Sequence, residues 1–427
     1  MNLMKNLSTF GLRFSQRCTS QDMADQSIRA LTSTGGNIVS MGIGNPAFIP
    51  EVNRLWRRRM KEIIEKGNTF ERVLCQYSTD RGERGFLEAF ADILNETYGW
   101  SLTHKNIAVT CSSQTACFLL FSLFSGPSPK GTNKVMLPIV PEYSGYGDQA
   151  GSEDIFIVEK PEIEFHEERF FKYRMRLPDL ESINNLSMIY LSRPTNPSGN
   201  VISDDELEKV SDAAKAKGCY LVVDNAYGAP FPNITFTPVN LRFDDHIILT
   251  FSLSKIGLPG VSTGIIVAHE EVISRIAILN GVTKLTVPNL GQEMIYPLLE
   301  DKSIVPFCNN VIRDFYVRKL QKVQELILHY WKDIEYRLHV CEGGFFVWAW
   351  FPGLPISDIE LQETLIRENG VCVIPGSYFF RCLPESDPWP HRRECVRISY
   401  ALDDDLLEKG IKNIATGIKN IMSTKAS

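Results

Sequence analysis

His246-Ile247-Ile248-Leu249-Thr250-Phe251-Ser252-Leu253-Ser254-Lys255-Ile256-Gly257-Leu258-Pro259-Gly260 joins an apolar run to a turn of small residues with one lysine in it. A run without polar alternation suits a strand buried on both faces, as in a parallel sheet covered by helices. Lysine just past such a strand is partly desolvated. Desolvation lowers an amine's pKa, and a neutral amine can attack an aldehyde carbon to make an imine. Ser252 and Ser254 add hydroxyl donors suited to a phosphate.

Outward from this stretch the pattern repeats. Strands are expected at 106–110, 134–138, 154–159, 187–192, 220–224, 246–252 and 263–268, mostly as continuous apolar runs with amphipathic segments between them. Ser203-Asp204-Asp205-Glu206 is a capping box, and Leu207, Val210 and Ala214 give its helix an apolar stripe that Gly218 ends. The fold class is therefore α/β: a large domain (51–309) with a mainly parallel seven-stranded sheet covered by helices. Residues 310–427 read as a smaller α+β domain, closed by a helix with its apolar stripe at 407, 411, 414, 418 and 421. Residues 1–50 are expected to pack on that smaller domain.

A chain of 427 residues, 44% of them hydrophobic, has material for two cores. The net charge of −6 gives no general attraction to nucleic acid or anionic membrane, and no run of 18 apolar residues is present, so neither is expected as a partner. The N-terminus lacks the apolar core of a secretory signal, which points to the cytoplasm. Ten cysteines show no CxxC or zinc-ligand spacing, so reduced thiols and no metal are expected.

Three further segments follow candidate strands. Tyr220-Leu221-Val222-Val223-Asp224 sets a carboxylate at a strand's carboxyl end, where parallel sheets bind ligands, with Tyr227 three residues on. Ser192-Arg193-Pro194-Thr195-Asn196-Pro197-Ser198-Gly199 is a rigid turn holding Asn196 between prolines. Ser112-Ser113-Gln114 opens a helix, whose free N–H groups and dipole favour an anion. Each alone reads equally as a cap or a plain turn. In this order they describe a site for pyridoxal 5′-phosphate (PLP), whose ring needs a carboxylate against its pyridine nitrogen to accept electrons from a substrate carbanion.

These segments, with Gly44-Asn45-Pro46-Ala47, Pro141-Glu142-Tyr143, Pro375-Gly376 and Trp389-Pro390-His391, resemble the aspartate-aminotransferase superfamily (PLP fold type I), and within it the bacterial valine–pyruvate aminotransferases. The resemblance implies that Lys255 forms the imine with PLP and then carries the proton between Cα and C4′. Asp224 would pair with the pyridinium, and Tyr227 and Asn196 would bond the ring hydroxyl. Tyr143 would stack on the ring, and Ser112, Ser113, Gln114, Ser252 and Ser254 would hold the phosphate. Tyr77 would reach the phosphate of a neighbouring subunit, making a homodimer with shared sites. Arg397 would clamp the substrate carboxylate with a planar fork of donors, with Gly44, Tyr143 and Asn196 beside it.

The implied reaction moves an amino group between a small or branched amino acid (valine, alanine) and a 2-oxo acid (pyruvate, 2-oxoisovalerate). Elimination, replacement or oxidation of an amino acid is the alternative on the same scaffold. Two positions depart from the family pattern: Ser262 replaces the arginine that neutralises the phosphate, and Ser112 replaces a phosphate-loop glycine. Loss of a hydrogen bond to a charged group is expected to weaken cofactor binding by roughly 1.5–3 kcal/mol.

Overall fold

The computed structural model of the chain describes residues 6–15, 18, 21, 38–152 and 154–424. Eight strands make the large sheet: the short Gly126–Ser128 and seven others, β1 (Ile107–Thr110), β2 (Gly131–Leu137), β3 (Phe156–Val158), β4 (Leu186–Ser192), β5 (Tyr220–Asp224), β6 (Ile247–Ser252) and β7 (Gly264–Val267). The order of the seven is β1-β7-β6-β5-β4-β2-β3. Of these only β7 runs against the others, pairing antiparallel with β6 and β1; the short strand Gly126–Ser128 doubles back antiparallel on the start of β2. All seven expected strands are present, their ends shifted by a few residues.

The central strands are apolar throughout because both their faces are covered. Every residue of β6 and β7 is buried, as is all of β5 except Tyr220. At about 1.5–3 kcal/mol for each fully buried Val, Leu or Ile side chain, these three strands anchor the domain. The register aligns Ser192 with Asp224 and Asp224 with Thr250, so the carboxyl ends of β4, β5 and β6 form one level edge. β7 enters at that edge through Gly264. A Cβ there would meet the carbonyl carbon of Ser112 at 2.4 Å and the nitrogen of Ser113 at 2.5 Å. Only glycine lets the strand lie directly against the start of the helix Ser113–Phe124.

The helix Asp204–Lys217 has the expected capping box between Ser203 and Glu206 and a left-handed Gly218 at its end. In the C-terminal helix Asp404–Thr424, Leu407, Ile411, Ile414 and Ile418 are buried. The second sheet holds Ile374–Pro375, Cys395–Ser399, Phe346–Trp350 and Arg337–His339, and it also takes in the hairpin Glu162–His166/Phe170–Arg174. That hairpin comes from within 51–309, so the smaller unit is not continuous in sequence. Its membership rests on the long-range pairing of Phe170 and Phe171 with Leu338 and His339.

The N-terminal segment likewise divides. Val39–Ser40 pairs with Val371–Cys372 of the smaller unit. The helix Thr9–Phe14 instead points Arg13 at the carbonyls of Gly147 and Ala150 and sets Phe14 edge-on to Phe118 of the large domain. Residues 39–40 thus meet the strand Val371–Cys372 and residues 9–14 meet the Gly147–Ala150 segment and Phe118, while residues 22–37 lie outside the described set. The described cysteines form no disulfide with one another, no cluster of metal-binding side chains occurs among the described residues, and no described helix is long and apolar enough to cross a membrane.

Candidate active site

A cavity of about 200 Å³ opens at the carboxyl edge of the large sheet. Ser112, Ser113 and Gln114 from the helix start, Tyr143, Asn196, Asp224, Tyr227, Ser252, Ser254 and Lys255 all line it. Ten residues singled out in the sequence, spread over more than 140 positions, are thus brought to one space because each follows a strand of the same edge.

Lys255 stands in a short 3₁₀ turn after β6, half-buried, its Nζ donating to the carbonyl of Gly44 at 3.0 Å. Its pKa falls to about 8 because burial disfavours the ammonium; Arg397 adds repulsion, and Asp224 acts weakly the other way. Asp224 is fixed by three donors. Tyr146 Oη bonds Oδ2 at 2.8 Å, and the Ala226 N–H and Thr250 Oγ1 bond Oδ1 at 3.1 Å each. Burial pushes its carboxyl up, while these three donors and Lys255 pull it down.

Arg397 comes from the second sheet. It donates to Asn196 Oδ1 at 2.8 Å and to the Gly42 carbonyl at 2.7 Å. Its guanidinium lies 4.2 Å from the Phe346 ring centroid and 5.0 Å from that of Phe379. Its Nε is buried without a partner among the described residues, and burial lowers its pKa to about 10. No carboxylate of the described residues lies within ion-pair distance of it, so its charge remains for an incoming anion. Tyr143 Oη donates to Gln114 Oε1 at 2.8 Å across the mouth. Tyr227 packs edge-on against Phe345 and Phe346, and burial raises its pKa.

At the anion end the side chains and the backbone divide the work differently from expectation. Ser112 Oγ is spent as the N-cap, accepting the Thr115 N–H at 3.0 Å, and Ser113 Oγ donates to the Phe251 carbonyl at 3.1 Å. The first intrahelical bond is from Ala116 N–H to Ser112 O, so the N–H groups of Ser113 and Gln114 precede it and belong to the orphan donors of a helix start. Ser262 is exposed, left-handed (φ 41°) and outside the cavity lining. Tyr77 also stands outside it, 82% exposed.

Sequence reasoning missed four groups. Tyr146 and Thr250 hold Asp224, while Glu142 and Ser192 form a buried pair beside it. Glu142, Ser192 and Thr250 fall in stretches already quoted, but only the three-dimensional edge shows what their side chains reach.

These residues fit PLP. A held carboxylate, a lysine amine and a helix start with two hydroxyls beyond it are the donor and acceptor set that its pyridine nitrogen, aldehyde and phosphate require. The fold and site define a fold-type I PLP enzyme. The chain belongs to the family of class I and II aminotransferases, whose profile matches residues 37–414; it is a PLP-dependent aminotransferase.

It is 38% identical over 382 residues to valine–pyruvate aminotransferase of Escherichia coli K12, spanning 89% of this chain and 91% of that protein. The crystal structure of valine–pyruvate aminotransferase from Salmonella typhimurium LT2 superposes with a TM-score of 0.84 at 37% identity, covering 94% of this chain and 99% of the other. A protein from Psychrobacter arcticum 273-4, assigned as an amino-acid aminotransferase, gives a TM-score of 0.93 at 36% identity, covering 98% and 99%.

Proposed function

We propose that this enzyme transfers the amino group of a small or branched aliphatic amino acid, valine or alanine, to a 2-oxo acid such as pyruvate or 2-oxoisovalerate, in the cytoplasm and as a homodimer. One observation carries the substrate class. Among the described residues Lys255 is the only cation lining the cavity, and Arg397, bonded to the lining residue Asn196, is seated against Phe346 and Phe379. One guanidinium serves the α-carboxylate. A second carboxylate on the substrate side chain would meet no cation of the described cavity wall, so acidic substrates are disfavoured. The two relatives named for valine and pyruvate agree with this reading.

PLP bound here supplies the electron sink for the pair left at the substrate's Cα. Lys255 would bond to it, and Asp224 would lie against its ring nitrogen. Asn196 and Tyr227 would face its phenolic oxygen, Tyr143 its ring face, and Ser113, Gln114, Ser252 and Ser254 its phosphate. The chain's own contribution is proton handling and orientation. With a pKa near 8, Lys255 keeps a sizeable neutral fraction at neutral pH, so its Nζ can take a proton from the substrate and return it. Arg397 and Asn196 fix the carboxylate and hence the Cα–H direction. Gly44, whose carbonyl holds Nζ, lies beside the same space.

Tyr77, exposed on its own chain, is assigned to the phosphate of the partner subunit. Ser262 bears on cofactor affinity and not on the fate of the substrate, so no observation favours elimination, replacement or oxidation.

The test is a single-turnover reaction of the holoenzyme with L-valine in the absence of any acceptor. Pyridoxamine phosphate and 2-oxoisovalerate in equal amounts are expected. Ammonia, an alkene or peroxide in their place would refute transamination, and conversion of aspartate in preference to valine would refute the substrate class.

A further inference from the structure

Glu142 is buried to 2% exposure directly behind the cavity wall. Its Oε1 accepts the backbone N–H of Ser192 at 2.8 Å, and its Oε2 meets Ser192 Oγ at 2.5 Å and the N–H of Tyr143 at 3.2 Å. Its own N–H is tied to the Phe379 carbonyl at 3.1 Å. One side chain thus joins the end of β4 to the loop that presents Tyr143. No cation of the described residues lies within ion-pair distance of it. The ionisable groups that face it are Asp224 at the end of β5, Tyr146 and Tyr190, and of these only Asp224 is a second carboxyl.

Two carboxyl groups therefore share one desolvated strand edge, and like charges so placed do not both ionise readily. Asp224 has three hydrogen-bond donors in its favour. Glu142 has two N–H donors and a hydroxyl that can accept as readily as donate.

We propose that Glu142 is a positioning residue that holds a proton on Oε2, donates it to Ser192 Oγ, and so turns the hydrogen of the Ser192 hydroxyl outward as a donor to whatever fills the cavity. Ser192 lines that cavity, so the direction of its hydroxyl is felt there. When Glu142 ionises, the Ser192 hydroxyl swings back to donate to the carboxylate, and the cavity loses a donor and gains a nearby negative charge. The inference rests on the cavity being the PLP site. Burial raises the carboxyl of Glu142 to about 8, more than the Ser192 and Tyr143 donors can offset, so the switch falls about one unit above neutral pH.

The experiment is a pH titration of the cofactor's absorbance in the holoenzyme, in wild type, Glu142→Gln and Ser192→Ala. A glutamine amide donates to Ser192 Oγ at every pH and mimics the protonated acid. Wild type is expected to show a spectral shift with a midpoint near 8 beside that of the imine itself. Glu142→Gln should lose that limb while keeping the wild-type low-pH spectrum. Ser192→Ala should show an altered low-pH spectrum and a smaller limb with a displaced midpoint, because the donor is gone while the Glu142 charge still appears.

A limb that persists in Glu142→Gln, or three identical titrations, would overturn the proposal. Should Glu142→Gln fail to fold, infrared difference spectra of the wild-type holoenzyme decide. A carboxylic-acid C=O band must be present at pH 7, fade as pH rises through about 8, and change frequency in Ser192→Ala. Its absence overturns the proposal equally. Absence of any imine band in wild type would instead sink the reading of the site.

Discussion

Replacement of Lys255 by Met in the cofactor-free protein isolates what the fold gives up to keep an amine ready. The pKa of Lys255 drops from an ordinary 10.5 to about 8, chiefly through burial. At 1.36 kcal/mol per pH unit this corresponds to about 3 kcal/mol by which the folded state is penalised for carrying the ammonium. The amine faces a cavity and not packed protein, and the variant also loses the bond to the Gly44 carbonyl, worth about 1 kcal/mol. A net stabilisation of about 2 kcal/mol at pH 7 is the expectation.

The sign with pH follows from proton counts. Below pH 8 folded and unfolded states both hold the proton, and the penalty is constant. Between about 8 and 10.5 the unfolded chain holds it and the folded chain does not, so wild type gains stability as pH rises and the advantage of the variant shrinks. Denaturant titrations of the two apoproteins at pH 7 and pH 10 measure this directly. A variant no more stable than wild type at pH 7, or an advantage that grows toward pH 10, would refute the reasoning.

Three other perturbations have definite outcomes. Gly264→Ala forces a methyl group against the backbone of Ser112 and Ser113; a loss of roughly 1–3 kcal/mol and weaker cofactor retention are expected in melts and dialysis, and unchanged retention would show that the helix start is not the anion site. Arg397→Lys keeps a charge but loses the planar fork, so kcat/KM for L-valine should fall by a factor corresponding to about 1.5–3 kcal/mol, roughly 10- to 160-fold, with the cofactor spectrum unchanged. Tyr77→Phe should weaken cofactor binding without altering monomer stability, since the side chain is exposed on its own subunit; equal cofactor affinity in wild type and variant would remove Tyr77 from the site.

What the sequence revealed and what it concealed divide along a physical line. The strands of the large sheet were legible because burial on both faces demands unbroken apolar runs, as in Ile247-Ile248-Leu249. Lys255, Asp224, Asn196 and the Ser112–Gln114 helix start were legible because each follows such a run directly. The hairpin 162–174 was not: its residues vary in burial along the strands, and nothing local says that it pairs with 337–339. Tyr146, Thr250, Glu142 and Ser192 act through atoms on neighbouring strands, and their roles depend on the alignment of Ser192, Asp224 and Thr250 across the sheet. The cap made by Ser112 was hidden for a related reason: its hydroxyl accepts the Thr115 N–H, and the backbone N–H groups beside it stand at the same helix start.

Borohydride reduction of the purified holoenzyme, followed by peptide mapping, tests the central claim most directly. A phosphopyridoxyl group is expected on the peptide containing Lys255 and on no other. Label on a different lysine, or none on a protein that retains its colour, would contradict the account.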